Sequence, residues 1–136
     1  MDEKLKTLAR VPLFAGLKDR DLLAVGGLCD EVTVRAGKVV AKQGSSADAF
    51  YVIEDGTVRI EKDGTTMTDL GPGAFFGEMA MLARIPRTAT ATCVTDCSLL
   101  VIGHRELATL MDDHPSVSTA ILKALAERFA RTASSG

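Results

Sequence analysis

Apolar residues recur at helical spacing at both ends of this chain and alternate with polar residues at β spacing in the middle. Leu5, Leu8 and Ala9 form one apolar face within residues 3–10, and Leu22, Leu23, Val25 and Leu28 form another within residues 19–28. Pro12 and Gly16 punctuate the segment between them, which predicts two short helices joined by a tight connector. Asp19 is the expected N-cap of the second helix. From residue 29 to Gly103 the spacing changes. Short β runs are expected at Val32–Arg35, Val39–Lys42, Ala49–Glu54, Val58–Glu61, Met67–Leu70, Thr88–Val94 and Leu99–Ile102. Gly37, Gly44, Asp55-Gly56, Asp63-Gly64 and Gly71-Pro72-Gly73 mark turns, and Asp-Gly between two β runs is a hairpin signal. Strands this short and this regularly interrupted predict a small sandwich or jelly-roll β-barrel. Helical spacing returns after Gly103. It predicts a short helix over 104–112, a stop at His114-Pro115, and a last helix over 116–131 with Val117, Ile121, Leu125 and Phe129 on one stripe. The tail from Thr132 is expected to fray. The expected organisation is one domain over residues 1–136: N-terminal helices in 3–28, a barrel over 29–103, and a C-terminal helix pair in 104–132.

Composition narrows the functional classes. The 136 residues suit a single core, and 46% are hydrophobic. A net charge of −2 argues against a general electrostatic grip on nucleic acid or anionic lipid. The longest apolar run, Leu99-Leu100-Val101-Ile102, is far too short to span a membrane. No secretory signal follows the charged start, so a cytoplasmic protein is expected. Cys29, Cys93 and Cys97 make an odd count, which reads as buried free thiols rather than a disulfide framework or a zinc site. His104 and His114 lie outside the β region, so no metal centre or metal-dependent catalysis is expected. No nucleophile–base pairing stands out, and the chain reads as non-enzymatic.

One stretch breaks the β pattern. In the sequence from Phe75 to Thr90, Gly77 is followed by Glu78-Met79-Ala80-Met81-Leu82-Ala83, all good helix formers, before Pro86 and a return to alternation at Thr88. A short helix is therefore expected between two strands, with Gly77 at its start, where the backbone turns sharply or comes close to something. A helix start offers unpaired N–H groups and partial positive charge. Arg87 follows where the chain folds back, and its planar fork fits two phosphate oxygens. Glu78 would repel a phosphate, but it suits a neighbouring hydroxyl as an acceptor. A ligand with both a phosphate and a sugar hydroxyl meets both demands. Taken singly, Arg87 also fits a strand-edge arginine, Glu78 a favourable acid in a first helical turn, and Thr88 an ordinary strand residue.

The motif Phe-Gly-Glu-Met-Ala-Met-Leu, three residues, then Pro-Arg-Thr-Ala-Thr resembles the phosphate-binding cassette of the cyclic-nucleotide-binding domain, here residues 75–90. Gly37, Gly44 and Gly56 resemble that family's turn glycines, and Val-Pro-Leu-Phe-Ala-Gly-Leu its N-terminal entry. The resemblance implies a cyclic AMP or cyclic GMP receptor that signals through its C-terminal helix to an effector protein. It implies Arg87 on the cyclic phosphate and Glu78 on the ribose hydroxyl. It implies that backbone groups of Gly77 and Ala80 meet the sugar and the phosphate, that the Thr88 hydroxyl touches the phosphate or a guanine amino group, and that small Ala89 lets the ligand lie close, with Phe76 and Met79 also among the ligand-binding residues. Ile60, Met67 and Leu70 would flank the base from the barrel wall, and Arg128, Phe129 or Arg131 would cap it. Arg84 matches no ligand position and is expected to be solvated. The last helix suits core packing or a homodimer seam. Two alternatives of the same fold stay open: a dimerising module with a vestigial pocket, and the ligand-binding part of a transcription regulator without its helix-turn-helix.

Overall fold

The computed structural model describes residues 3–135, and of Glu3, Arg128, Phe129 and residues 131–135 only the backbone. Helices α1 (Glu3–Arg10) and α2 (Asp19–Leu28) lead into strands β1 (Asp30–Val34), β2 (Val39–Ala41), β3 (Ala49–Asp55), β4 (Val58–Lys62), β5 (Thr65–Leu70) and β6 (Phe75–Phe76). Helix α3 (Glu78–Ala83) follows, then β7 (Thr90–Cys93), β8 (Cys97–Gly103), α4 (His104–Asp113) and α5 (Pro115–Ser135). The strands form two antiparallel four-stranded sheets in the orders β1-β8-β3-β6 and β2-β7-β4-β5. This is the jelly-roll arrangement, realised as two facing sheets.

The central strands of the first sheet, β8 and β3, are buried on both faces, and their alternation sorts side chains between two cores. From β3, Phe50 and Val52 join the core under the helices, with Leu8, Phe14, Val25, Leu107, Val117 and Ile121. Ile53 points the other way, into the core between the sheets, with Val58, Phe76, Ala91 and Leu99. The buried free thiols Cys93 and Cys97 also lie there, and burial pushes the Cys93 thiol up to about 12. Gly56 closes the β3–β4 turn at φ +97°, where a Cβ would stand 2.5 Å from the Asp96 carbonyl oxygen.

The structure departs from the sequence expectations at three helix ends. Lys18, not Asp19, caps α2, and it makes no side-chain cap bond. Leu23 is 57% exposed, off the buried face that holds Leu22 and Val25. Helix α5 begins at Pro115, which needs no N–H partner at a first helical position, and it continues to Ser135 because no glycine or proline interrupts it. Near its start α5 is tied to α2: Asp21 accepts a bond from Ser116 Oγ at 2.6 Å and lies 3.1 Å from His114 Nδ1. The Ser116 hydroxyl, with His114 behind it, holds the Asp21 carboxyl below its ordinary value.

Candidate functional site

The β6–α3–β7 segment joins the two sheets, because β6 is the edge strand of the first and β7 pairs in the second. Gly77 starts this crossing at φ +86°, a left-handed conformation that costs any other L-residue energy. It also makes room, since a Cβ there would stand 2.5 Å from Arg87 Nη1. Helix α3 then runs over the six residues expected to form it, and Arg84 ends it in a left-handed cap at φ +56°. Pro86 follows, and the returning backbone is pinned to the β2–β3 loop: Arg87 N–H donates to the Ser45 carbonyl at 2.8 Å, and Gly44 N–H to the Arg87 carbonyl at 2.8 Å.

These constraints bury a charged side chain. Arg87 is 6% exposed. Its Nη1 donates to the Gly77 carbonyl at 3.0 Å and its Nη2 to the Ala49 carbonyl at 2.6 Å. Neither acceptor is charged, and the guanidinium carries five N–H donors. Glu78 is buried beside it at 3% exposure. Charges held this deep at the edge of a β core are retained only where partners make up for the lost water.

A pocket of about 220 Å³ opens at this point. Phe76, Gly77, Glu78, Met79 and Ala80 line its cassette side, with Arg87, Thr88 and Ala89 on the returning segment. Ala41, Ile60, Thr68, Leu70, Thr90 and Ala91 line the opposite wall. The structure thus brings together the cassette residues and two of the three expected wall residues. Met67 is not among them. The β4–β5 register runs Ile60↔Thr68 and then Glu61↔Thr66, so Met67 is the extra residue of a β-bulge and is 61% exposed. Thr68 takes the wall position in its place, and alternation gave a signal for it: residues 68 and 70 share a strand face, whereas 67 and 70 do not. The Arg128, Phe129 and Arg131 side chains expected over the base lie outside the described residues.

A second hollow, about 840 Å³, lies on the far side of the cassette between Pro86, the 44–48 loop and the start of α4. It holds Arg84, which is exposed as expected, with Nη2 3.2 Å from His104 Nδ1. Among the described residues, no group of three or more His, Cys, Asp or Glu side chains could hold a metal ion. No described helix is long and apolar enough to cross a membrane.

The family model for the cyclic nucleotide-binding domain matches residues 31–114. The chain belongs to the cyclic nucleotide-binding domain family. That family is regulatory rather than catalytic. The domain is 33% identical over 127 residues to a cyclic nucleotide-gated potassium channel of Mesorhizobium japonicum, a match that covers 93% of this chain and 35% of the channel. It is 31% identical over 137 residues to a CRP-like cAMP-activated global transcriptional regulator of Mycobacterium tuberculosis, covering 97% of this chain and 60% of the regulator. Among solved structures, the N-terminal domain of a transcriptional regulator from Streptomyces coelicolor is 34% identical with a TM-score of 0.83, covering 93% of this chain and 94% of that one. The chain therefore spans about a third of its channel relatives and under two thirds of the full-length regulator.

Proposed function

We propose that this domain is a receptor for a cyclic purine nucleotide, with cyclic AMP as its ligand. The observation that carries the reading is Arg87: a guanidinium 6% exposed, hydrogen-bonded to two neutral carbonyls, and lining a pocket of about 220 Å³ together with Glu78. A singly charged ring phosphate can take the guanidinium N–H groups that the two carbonyls leave, and charge-assisted bonds to it are stronger than the neutral ones already made. Glu78, Gly77 and Ala80 meet the ribose and the phosphate from the start of α3. Ile60, Leu70 and the methyl of Thr68 form the apolar wall for the base. The cAMP-activated regulator among the relatives supports cyclic AMP. Thr88, exposed at the pocket rim, is the hydroxyl that would reach a guanine amino group in cyclic GMP.

The signal passes through α5 to an effector. Val117 and Ile121 hold the first turns of that helix in the core, while Leu122 is 71% exposed, which supports a role for the helix beyond core packing. Heat-denaturing the purified domain and resolving released nucleotides by chromatography, followed by titration of the stripped protein with both cyclic nucleotides, tests the reading. Micromolar or tighter binding of cyclic AMP is expected. Absence of binding to either nucleotide would leave a vestigial pocket and refute it.

A further inference from the structure

Tyr51 occupies the position behind the arginine, and the geometry points to it as the residue that positions the Arg87 guanidinium for its anion. The inference rests on the receptor reading above. Tyr51 lies on β3 directly across from Phe76 on β6, and the two rings stack with centroids 5.1 Å apart and planes 19° from parallel. Phe76 is 6% exposed and immediately precedes Gly77, so the stack fixes Tyr51 against the root of the cassette. The Arg87 Cζ stands 5.7 Å from the Tyr51 ring centroid, within cation–π range.

The arginine is thus held from three directions. The Ala49 carbonyl holds it from β3, two residues before Tyr51, and the Gly77 carbonyl holds it from the cassette. The Tyr51 ring face supplies the third constraint. The carbonyls fix two N–H groups but leave the guanidinium plane free to rock about them. An aromatic face beside the cation limits that rocking, and it does so without competing for the N–H groups an anion needs. A carboxylate in the same place would neutralise the charge and claim the fork. The ring is therefore suited to keep a buried cation ordered while leaving it available. Tyr51 touches no ligand in this account; it acts through Arg87.

The chain contains one tyrosine and no tryptophan, so intrinsic fluorescence reports on Tyr51 alone. Three measurements test the inference on the whole chain. In ligand-free protein, Arg87→Leu should change the tyrosine emission, and Arg84→Leu should not. Binding of cyclic AMP to Tyr51→Leu should weaken roughly 5- to 30-fold, the range of a partly to fully desolvated cation–π contact. Tyr51→Phe keeps the ring and should stay within about twofold of wild type. Melting temperatures of both Tyr51 variants identify any loss caused by unfolding, and Tyr51→Phe keeps the test open if Tyr51→Leu is unstable. Wild-type affinity in a folded Tyr51→Leu would overturn the positioning role, and so would a Tyr51→Phe as weak as Tyr51→Leu. If wild type bound no cyclic nucleotide, the receptor reading would fall and this role with it. An emission change in ligand-free Arg87→Leu would then show that the contact itself exists.

Discussion

The two hollows on either side of the cassette contain arginines three positions apart in the sequence, and they differ in almost every physical respect. Arg87 is 6% exposed, is fixed by two carbonyls and an aromatic face, and lines the smaller space of about 220 Å³. Arg84 is exposed, meets the His104 ring through its side chain, and lines the larger space of about 840 Å³. The larger hollow also has its own internal compensation. Glu106 lies against Gly103, the N-cap of α4, where an acid in the first turn suits the positive end of the helix dipole. Volume alone therefore does not make a site. A desolvated cation with N–H groups left over can hold an anion more firmly than a solvated one, which water already satisfies.

The largest effect expected from this contrast is on ligand affinity. Arg87→Leu should weaken cyclic AMP binding about 30-fold or more, while Arg84→Leu should change it by no more than about twofold, both read by calorimetry. Equal losses in the two variants would erase the distinction between the hollows.

Next comes the space that lets Arg87 lie where it does. Gly77→Ala combines a strained φ of +86° with a Cβ placed 2.5 Å from Nη1. A loss of roughly 10-fold in affinity is expected, corresponding to about 1–2 kcal/mol of strain and displacement. A milder loss, about 3- to 10-fold, is expected for Glu78→Gln, because an amide oxygen still accepts from a hydroxyl. Outright abolition in Glu78→Gln would contradict the ribose role.

The smallest effect comes from a carboxyl away from the pocket. Glu54 is pushed up to about 6, first by burial and then by its bond to the Glu31 carboxyl, against a bond from Ser98 Oγ at 2.9 Å. Its folded value lies above its ordinary 4.5, so the native state holds the proton more tightly than the unfolded chain does. Stability should therefore fall as pH rises from about 4.5 to 6 and the contribution should then level off. Glu54→Gln should remove that slope and gain about 1 kcal/mol or less at neutral pH with unchanged ligand affinity, as read by melting curves and titration. Unchanged affinity in Glu54→Gln would separate this carboxyl from the charges that line the pocket.

Much of this was legible in the sequence because the signals were local. Helix α3 could be placed between Gly77 and Pro86 since its six helix formers are contiguous, and Arg87 drew attention by its position after the proline. Seven strands could be read from alternation and turn glycines. What could not be read depends on pairing. Strand β6 is two residues long and exists only through its register with Tyr51 and Val52. The bulge that expels Met67 and admits Thr68 is a property of two strands together, not of β5 alone. The role of Tyr51 was equally hidden, since it follows from a contact with a residue 36 positions away. Burial of Leu22 without Leu23 likewise depends on how α2 packs against the neighbouring helices α1 and α4.

The most direct test of the buried cation is phosphorus NMR of cyclic AMP in complex with the stripped domain. A guanidinium against the ring phosphate should shift its resonance from the free position in wild type and in Arg84→Leu, and Arg87→Leu under saturating ligand should return it most of the way. An unshifted phosphate in saturated wild-type complex, or the same bound shift in Arg87→Leu, would contradict the account.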